Sequence, residues 1–137
     1  MRNLLLVLVG LLLVTTTAKA ETTILVETEC FDDLGGWVID QQFMDEMGSP
    51  FLLAHGLGHP VDDAQTTVKI PEPGQYHIWV RTRDWVGPWK KPSTPPTKRA
   101  EGSPGKFKVI IDGKPLKPTF GIEGAEWHWQ KGGRLQI

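Results

Sequence analysis

The stretch from Ala64 to Thr82, AQTTVKIPEPGQYHIWVRT, decides the fold. Apolar or β-branched side chains recur at every second position on both sides of a turn: Thr66, Val68 and Ile70 before it, and Tyr76, Ile78 and Val80 after it. Alternation with a period of two is typical of β-strands. The segment Pro71-Glu72-Pro73-Gly74 holds residues typical of a turn. The stretch therefore predicts a β-hairpin.

Shorter segments of the same kind lie on both sides of this hairpin. We expect further strands at Ile24–Phe31, Trp37–Ile39, Phe51–Ala54, Phe107–Ile111, Leu116–Phe120, Trp127–Gln130 and Arg134–Ile137. Asp112-Gly113 is a strong signal for a two-residue hairpin turn. No helix of ten residues is expected after residue 20. Six or more short strands predict an all-β fold, a β-sandwich or jelly roll. Because the sequence ends inside an apparent strand, we expect the sandwich to be incomplete at its C-terminus and the protein to continue past Ile137.

A proline-rich segment at 86–105 interrupts this series of strands. It holds five prolines and no periodic pattern, so it predicts a long exposed loop. Loops of this length are uncommon in compact domains and are often functional or disordered.

Residues 1–20 have the three parts of a secretory signal peptide. Arg2 supplies a positive charge, Leu4 to Val14 is an apolar run, and Ala18-Lys19-Ala20 fits a small-x-small cleavage site. The apolar run is too short to span a bilayer, which needs about 20 residues. We therefore expect a helical signal peptide at 1–20, cleavage after Ala20, and export of a single β module at 21–137 to the periplasm or the extracellular space.

The charge balance argues against two classes of partner. The chain has 15 basic and 16 acidic residues, and loss of Arg2 and Lys19 with the leader leaves 13 basic and 16 acidic ones, a net charge of −3. Nucleic acid and anionic membrane surfaces attract a basic protein, so we expect neither as a partner. The lone cysteine, Cys30, excludes an internal disulfide framework.

Six tryptophans are candidates for a ligand surface: Trp37, Trp79, Trp85, Trp89, Trp127 and Trp129. Aromatic rings can stack on the C–H faces of sugars, but each ring can equally bury about 150–250 Å² in a core. Trp85 and Trp89 lie in or beside the proline-rich segment and remain open between loop anchors and a binding surface. Trp37 and Trp79 are expected to be structural.

The last strands hold a Trp-His-Trp segment. Trp127 and Trp129 share one face of the predicted strand, and His128 lies on the opposite face. The candidate residues for ligand binding or docking are therefore Trp85, Trp89, Trp127, His128 and Trp129.

Glu27 and Glu29 are the candidate metal ligands. If Ile24–Phe31 is a strand, both carboxylates share one face, where they could hold a structural Ca²⁺ or form a solvated surface. Calcium takes six to eight oxygen ligands, so other oxygen atoms would have to complete the site. No nucleophile elbow, phosphate loop or zinc site is recognisable, and no catalytic residue is assigned. Whether the chain is part of an enzyme stays open.

Several segments carry a family resemblance. Glu27-Thr28-Glu29 with Phe31, followed by Gly35-Gly36-Trp37-Val38, resembles the opening of the galactose-binding-like jelly rolls found as carbohydrate-binding modules. More closely, the chain is similar to the module that precedes the flavin domain in exported FAD-dependent oxidoreductases of Bacteroidetes-type bacteria. The segments that carry this second resemblance are 36–45, 47–50, 54–56, 79–86 and 120–129, with Arg83-Asp84-Trp85 and Trp127-His128-Trp129 the most specific.

The resemblance implies a non-catalytic accessory module with a glycan context. It also implies a structural calcium beside Glu27 and Glu29, and FAD in a C-terminal domain that this chain lacks. The stretch Lys90 to Ser103 is longer than expected between the matching strands. Two alternatives remain: a free-standing secreted carbohydrate-binding protein, and a structural module without a ligand that docks on its own catalytic domain.

Overall fold

The computed structural model describes residues 21–55, 59–87 and 105–137. The predicted signal peptide, Trp89 and most of the predicted loop at 86–105 lie outside the described residues.

Short antiparallel strands dominate the described part of the chain. The elements are β1 (Trp37–Asp40), α1 (Met44–Met47), β2 (Phe51–Ala54), β3 (Gln75–Thr82), β4 (Ile110–Ile111), β5 (Lys114–Pro115) and β6 (His128–Gln136), with a 3₁₀ turn at Thr28–Cys30. They form three two-stranded antiparallel sheets, β1 with β2, β3 with β6, and β4 with β5. The protein is thus mostly β with almost no helix in the described residues, which confirms the all-β class.

Strand β3 forms where it was predicted, but its partner is not the predicted one. It pairs with β6, from Gln75 opposite Gln136 to Thr82 opposite His128, whereas residues 66–70 lie outside any strand. The prediction of a central hairpin between residues 64–70 and 76–82 is therefore wrong. Two prolines in the turn, Pro71 and Pro73, cannot donate backbone hydrogen bonds. Gly74 instead exchanges two backbone hydrogen bonds with Ile137, at 2.9 and 3.0 Å, and these extend the β3–β6 ladder.

The predicted first strand is interrupted. The N–H of Cys30 donates to the carbonyl of Glu27 at 3.1 Å and that of Phe31 to Thr28 at 3.2 Å, which closes the 3₁₀ turn. A turn of three residues per rotation breaks the period of two, so the prediction of a strand through Phe31 is wrong.

The turn between β4 and β5 confirms the Asp112-Gly113 signal. Asp112 has φ 49° and Gly113 φ 72°, and Ile111 pairs with Lys114 across them. A type I′ turn needs positive φ at both central residues, which explains the Asp-Gly sequence.

Aromatic side chains connect these sheets. Phe51 and Phe120 are the buried hydrophobic residues of the described part, 5% and 0% exposed. Phe107 stacks on Phe120 with ring centroids 5.5 Å apart and meets Trp37 edge-on at 5.8 Å. Cys30 is exposed and free, so aromatic packing rather than a disulfide joins the elements.

Candidate functional site

The β3–β6 pair presents one face to the protein and one to solvent. Directly opposite residues of an antiparallel pair project to the same face. On the inner face, Ile78 contacts Gly132, and Leu116 from the segment after β5 reaches the same glycine. The outer pairs are Gln75–Gln136, His77–Arg134, Trp79–Lys131 and Arg81–Trp129. We call these eight residues the ribbon face.

A β-bulge in β6 determines which side chains reach the ribbon face. Ile78 is opposite Gly133 and Trp79 is opposite Lys131, so Gly132 is the additional residue. A Cβ on Gly132 would approach Ile78 to 2.9 Å, and Gly133 has φ 112°, so both positions favour glycine. Lys131 and Arg134 are three positions apart and would face opposite sides of a regular strand. The bulge places both on the ribbon face.

Two indole rings are exposed on this face. Trp79 is 47% exposed and Trp129 is 54% exposed. Trp79 is opposite Lys131, so Trp129, two residues before Lys131, is the diagonal neighbour of Trp79 across the strand pair. The backbones of diagonal neighbours lie about 7–8 Å apart. The two rings therefore form a neighbouring pair of flat apolar surfaces.

Three basic side chains share this face with the two rings. The Lys131 ammonium lies 5.4 Å from the Trp79 ring centroid, a contact worth roughly 0.5–1 kcal/mol at an exposed site. Arg81 donates to the carbonyls of Met47 at 2.9 Å and Glu46 at 2.7 Å, so α1 holds its guanidinium in place. The Arg134 side chain forms no hydrogen bond or ion pair with the described residues.

A shallow groove follows the same face. Its volume is about 220 Å³, and it is lined by His77, Ile78, Trp79, Lys131, Gly133 and Arg134. The eight residues of the ribbon face include no carboxylate. The groove thus combines an aromatic surface with positive charge.

Trp85 and Trp127, two of the predicted site residues, lie in a separate aromatic cluster. Trp127 meets Phe51 edge-on at 4.9 Å, and Phe43 contacts both Trp127 and Trp85 at about 6 Å. The Arg83 guanidinium covers Phe43 at 4.6 Å. Both tryptophans are half-buried, and for Trp85 this packing favours the loop-anchor alternative.

Trp129 and His128 lie on opposite faces, as the alternation predicts, but the prediction that Trp127 shares the face of Trp129 is wrong, because β6 begins at His128 and Trp127 precedes it. Trp129 lies on the ribbon face. His128 is opposite the buried Thr82, and its Nδ1 lies 3.1 Å from the carbonyl oxygen of Glu126. The structure therefore does not bring Trp129 and His128 together on one face. Trp89, the remaining predicted residue, lies outside the described residues.

Sequence reasoning missed Trp79. Trp37 packs on Phe107, as expected of a structural tryptophan, but Trp79 does not share that role because nearly half of its surface is exposed. The position of Trp79 in the alternating pattern could have revealed its exposure. Trp79 lies on the face of β3 opposite to that of Tyr76, Ile78 and Val80, which are half-buried.

The two candidate calcium ligands do not share a strand face. Glu27 precedes the 3₁₀ turn and Glu29 lies within it. Within residues 21–55, 59–87 and 105–137, no group of three or more His, Cys, Asp or Glu side chains could hold a metal ion. The calcium site therefore stays a prediction that rests on the resemblance.

The comparisons with known proteins gave no match to a protein-family model, a curated protein or a solved structure. Among the described residues, no helix has the length and hydropathy of a membrane span.

Proposed function

We propose that this chain is a non-catalytic β module of an exported protein and that it binds a glycan on the ribbon face. The observation that carries the proposal is the exposure of Trp79 and Trp129 as diagonal neighbours on one sheet face. Large aromatic rings left in solvent indicate an interaction surface when they lie next to each other. Sugar rings offer apolar C–H faces that can cover such indoles.

We also propose that the three small sheets are layers of a β-sandwich or jelly roll. Contacts between side chains of different sheets support this architecture. Trp37 of β1 meets Phe107 in the segment before β4, and Phe51 of β2 meets Trp127 just before β6. Leu116 packs on Gly132 at the β3–β6 bulge.

The parent protein in this proposal is an exported FAD-dependent oxidoreductase, with FAD held by a domain outside this chain. The support is the resemblance of segments such as Arg83-Asp84-Trp85 and Trp127-His128-Trp129. The proposal expects the coding sequence downstream of Ile137 to encode a flavin-binding fold with a GxGxxG loop. A downstream sequence without such a fold would favour the free-standing carbohydrate-binding protein.

Affinity electrophoresis tests glycan binding directly. The full chain, expressed with residues 1–20 and purified from the exported fraction, is run through gels that contain neutral or acidic plant and microbial polysaccharides. We expect retardation on at least one polysaccharide, and loss of that retardation in Trp79→Ala and Trp129→Ala. Ile110→Ala is the matched control, because Ile110 is an exposed apolar residue on β4.

Circular dichroism of each variant separates loss of binding from loss of fold. A folded wild-type chain that no polysaccharide retards would contradict the proposal and favour the docking module. Retardation that survives both tryptophan substitutions would place the binding surface elsewhere.

A further inference from the structure

We infer that the glycan is a polyuronate, a polysaccharide whose sugar units carry carboxylates. This inference rests on the proposed function and specifies the ligand class of the same face. It follows from the placement, on the face of the two exposed indoles, of cations that form no ion pair with a described carboxylate.

The charge of the chain is divided sharply along the sequence. Residues 21–74 hold 11 acidic side chains and one basic one, Lys69, whereas residues 75–137 hold 12 basic and 5 acidic ones. Both strands of the ribbon face come from the basic part. The net charge of the whole chain, −1, therefore conceals a basic region that contains this face.

The ribbon face concentrates this positive charge. Arg81, Lys131 and Arg134 are three cations among its eight residues, and His77 is opposite Arg134. None of them forms an ion pair with a described carboxylate. A ligand carboxylate could therefore pair with them without first displacing an acidic partner from the described part of the chain.

The geometry of the cations fits carboxylates at the edges of stacked sugars. The Lys131 ammonium lies over the Trp79 ring, 5.4 Å from its centroid, so a sugar carboxylate that reaches this ring meets a positive charge there. Arg134 projects from the same strand on the far side of the bulge, and its planar guanidinium can bind a planar carboxylate through two parallel hydrogen bonds. Two indoles alone would suffice for a neutral glycan, whereas the cations gain an oppositely charged, charge-assisted partner only from an acidic one.

Nucleic acid also combines flat rings with negative charge, but it fits this face less well. Binding of nucleic acid depends on neutralising many phosphates along its backbone, and the ribbon face offers only three permanent cations. The predicted signal peptide also directs the chain to compartments where polysaccharides are the abundant polyanions.

The test compares polyuronates with their own neutral esters. Polygalacturonate and alginate, and the methyl or propylene glycol ester of each, are titrated into the exported full chain by isothermal titration calorimetry. Esterification removes the charge and keeps the sugar backbone. At low ionic strength we expect at least one acid to bind about tenfold more tightly than its ester, and the difference to shrink in 0.5 M NaCl because salt screens exposed charges.

Variants identify the groups responsible. Arg134→Gln should weaken binding of the acid about tenfold and leave binding of the ester unchanged, whereas Trp79→Ala should weaken both. Lys114→Gln is the matched control, since it removes one exposed positive charge from β5, outside the ribbon face, and it should bind like the wild type.

The outcomes separate the two proposals. Equal affinity for acid and ester would overturn the polyuronate inference and leave glycan binding intact. Tighter binding of a sulfated polysaccharide or of a single-stranded oligonucleotide would also overturn it. A folded chain that binds no polysaccharide at all would overturn the proposed function itself.

Discussion

Replacing Phe120 by alanine removes the most deeply buried side chain of the described structure. Phe120 is 0% exposed and stacks on Phe107 with ring centroids 5.5 Å apart. Phe107 in turn contacts Trp37 of β1. Loss of the Phe120 ring therefore leaves a cavity at the point where the β4–β5 hairpin and β1 are joined.

The expected loss is large relative to the total stability. Truncation of a buried Phe to Ala costs about 3–5 kcal/mol, because transfer and cavity terms add. Natural domains have free energies of unfolding of about 5–15 kcal/mol. Because Phe51 and Phe120 are the only buried hydrophobic residues in the described part, we expect a free energy of unfolding near the lower end of this range. Phe120→Ala should thus remove most of the stability, and Phe120→Leu about half as much because most of the volume remains.

Urea-induced unfolding, followed by circular dichroism and tryptophan fluorescence, measures these losses. Ile110→Ala serves as the control, since Ile110 is 53% exposed and its truncation should change the free energy of unfolding by about 0.5 kcal/mol or less. The reasoning is refuted if Phe120→Ala costs no more than Ile110→Ala at the same m-value.

Three further predictions concern the backbone, the metal and the leader. Gly35→Ala should lower the free energy of unfolding by more than about 2 kcal/mol, because the new Cβ would collide with the carbonyls of Asp62 and Asp63. Gly113→Ala has open space around the new Cβ and should lower it by about 1 kcal/mol, from its positive φ alone. Equal losses for the two variants in urea unfolding would contradict this. If Glu27 and Glu29 hold a structural calcium, EDTA lowers the melting temperature and added Ca²⁺ restores it, and an unchanged temperature removes the calcium prediction. N-terminal sequencing of the exported protein should begin at Glu21, and an intact Met1 would contradict the cleavage site.

Local signals in the sequence predicted part of the local structure, whereas the strands predicted at 24–31, 64–70 and 116–120 do not form. The Asp112-Gly113 turn and the strand at Gln75–Thr82 follow from φ preferences and side-chain alternation within a few residues. The pairing of β3 with β6 could not be predicted in the same way, because it depends on residues far apart in the chain. The hairpin prediction assumed the nearest strand as partner, and Gly74 pairs with Ile137 instead.

For the candidate site, too, the sequence predicted a local feature but not how distant residues come together. The phase of Trp79 in its strand already pointed away from the half-buried side chains, but the phase alone does not say what covers the outer face. The shared orientation of Lys131 and Arg134 depends on the Gly132 bulge, and two adjacent glycines do not by themselves specify a register shift. Only the paired strands show that the aromatic and basic residues meet.

The most direct test of the central claim observes the six tryptophan side chains while a glycan binds. Each indole N–H gives a separate signal in ¹H–¹⁵N correlation spectra, and single Trp→Phe variants assign them. On titration with polygalacturonate or alginate, the account predicts large shifts for Trp79 and Trp129 and almost none for Trp37 and Trp127, which pack in the aromatic clusters. Shifts confined to Trp85 and Trp89, or no shift at all, would contradict it.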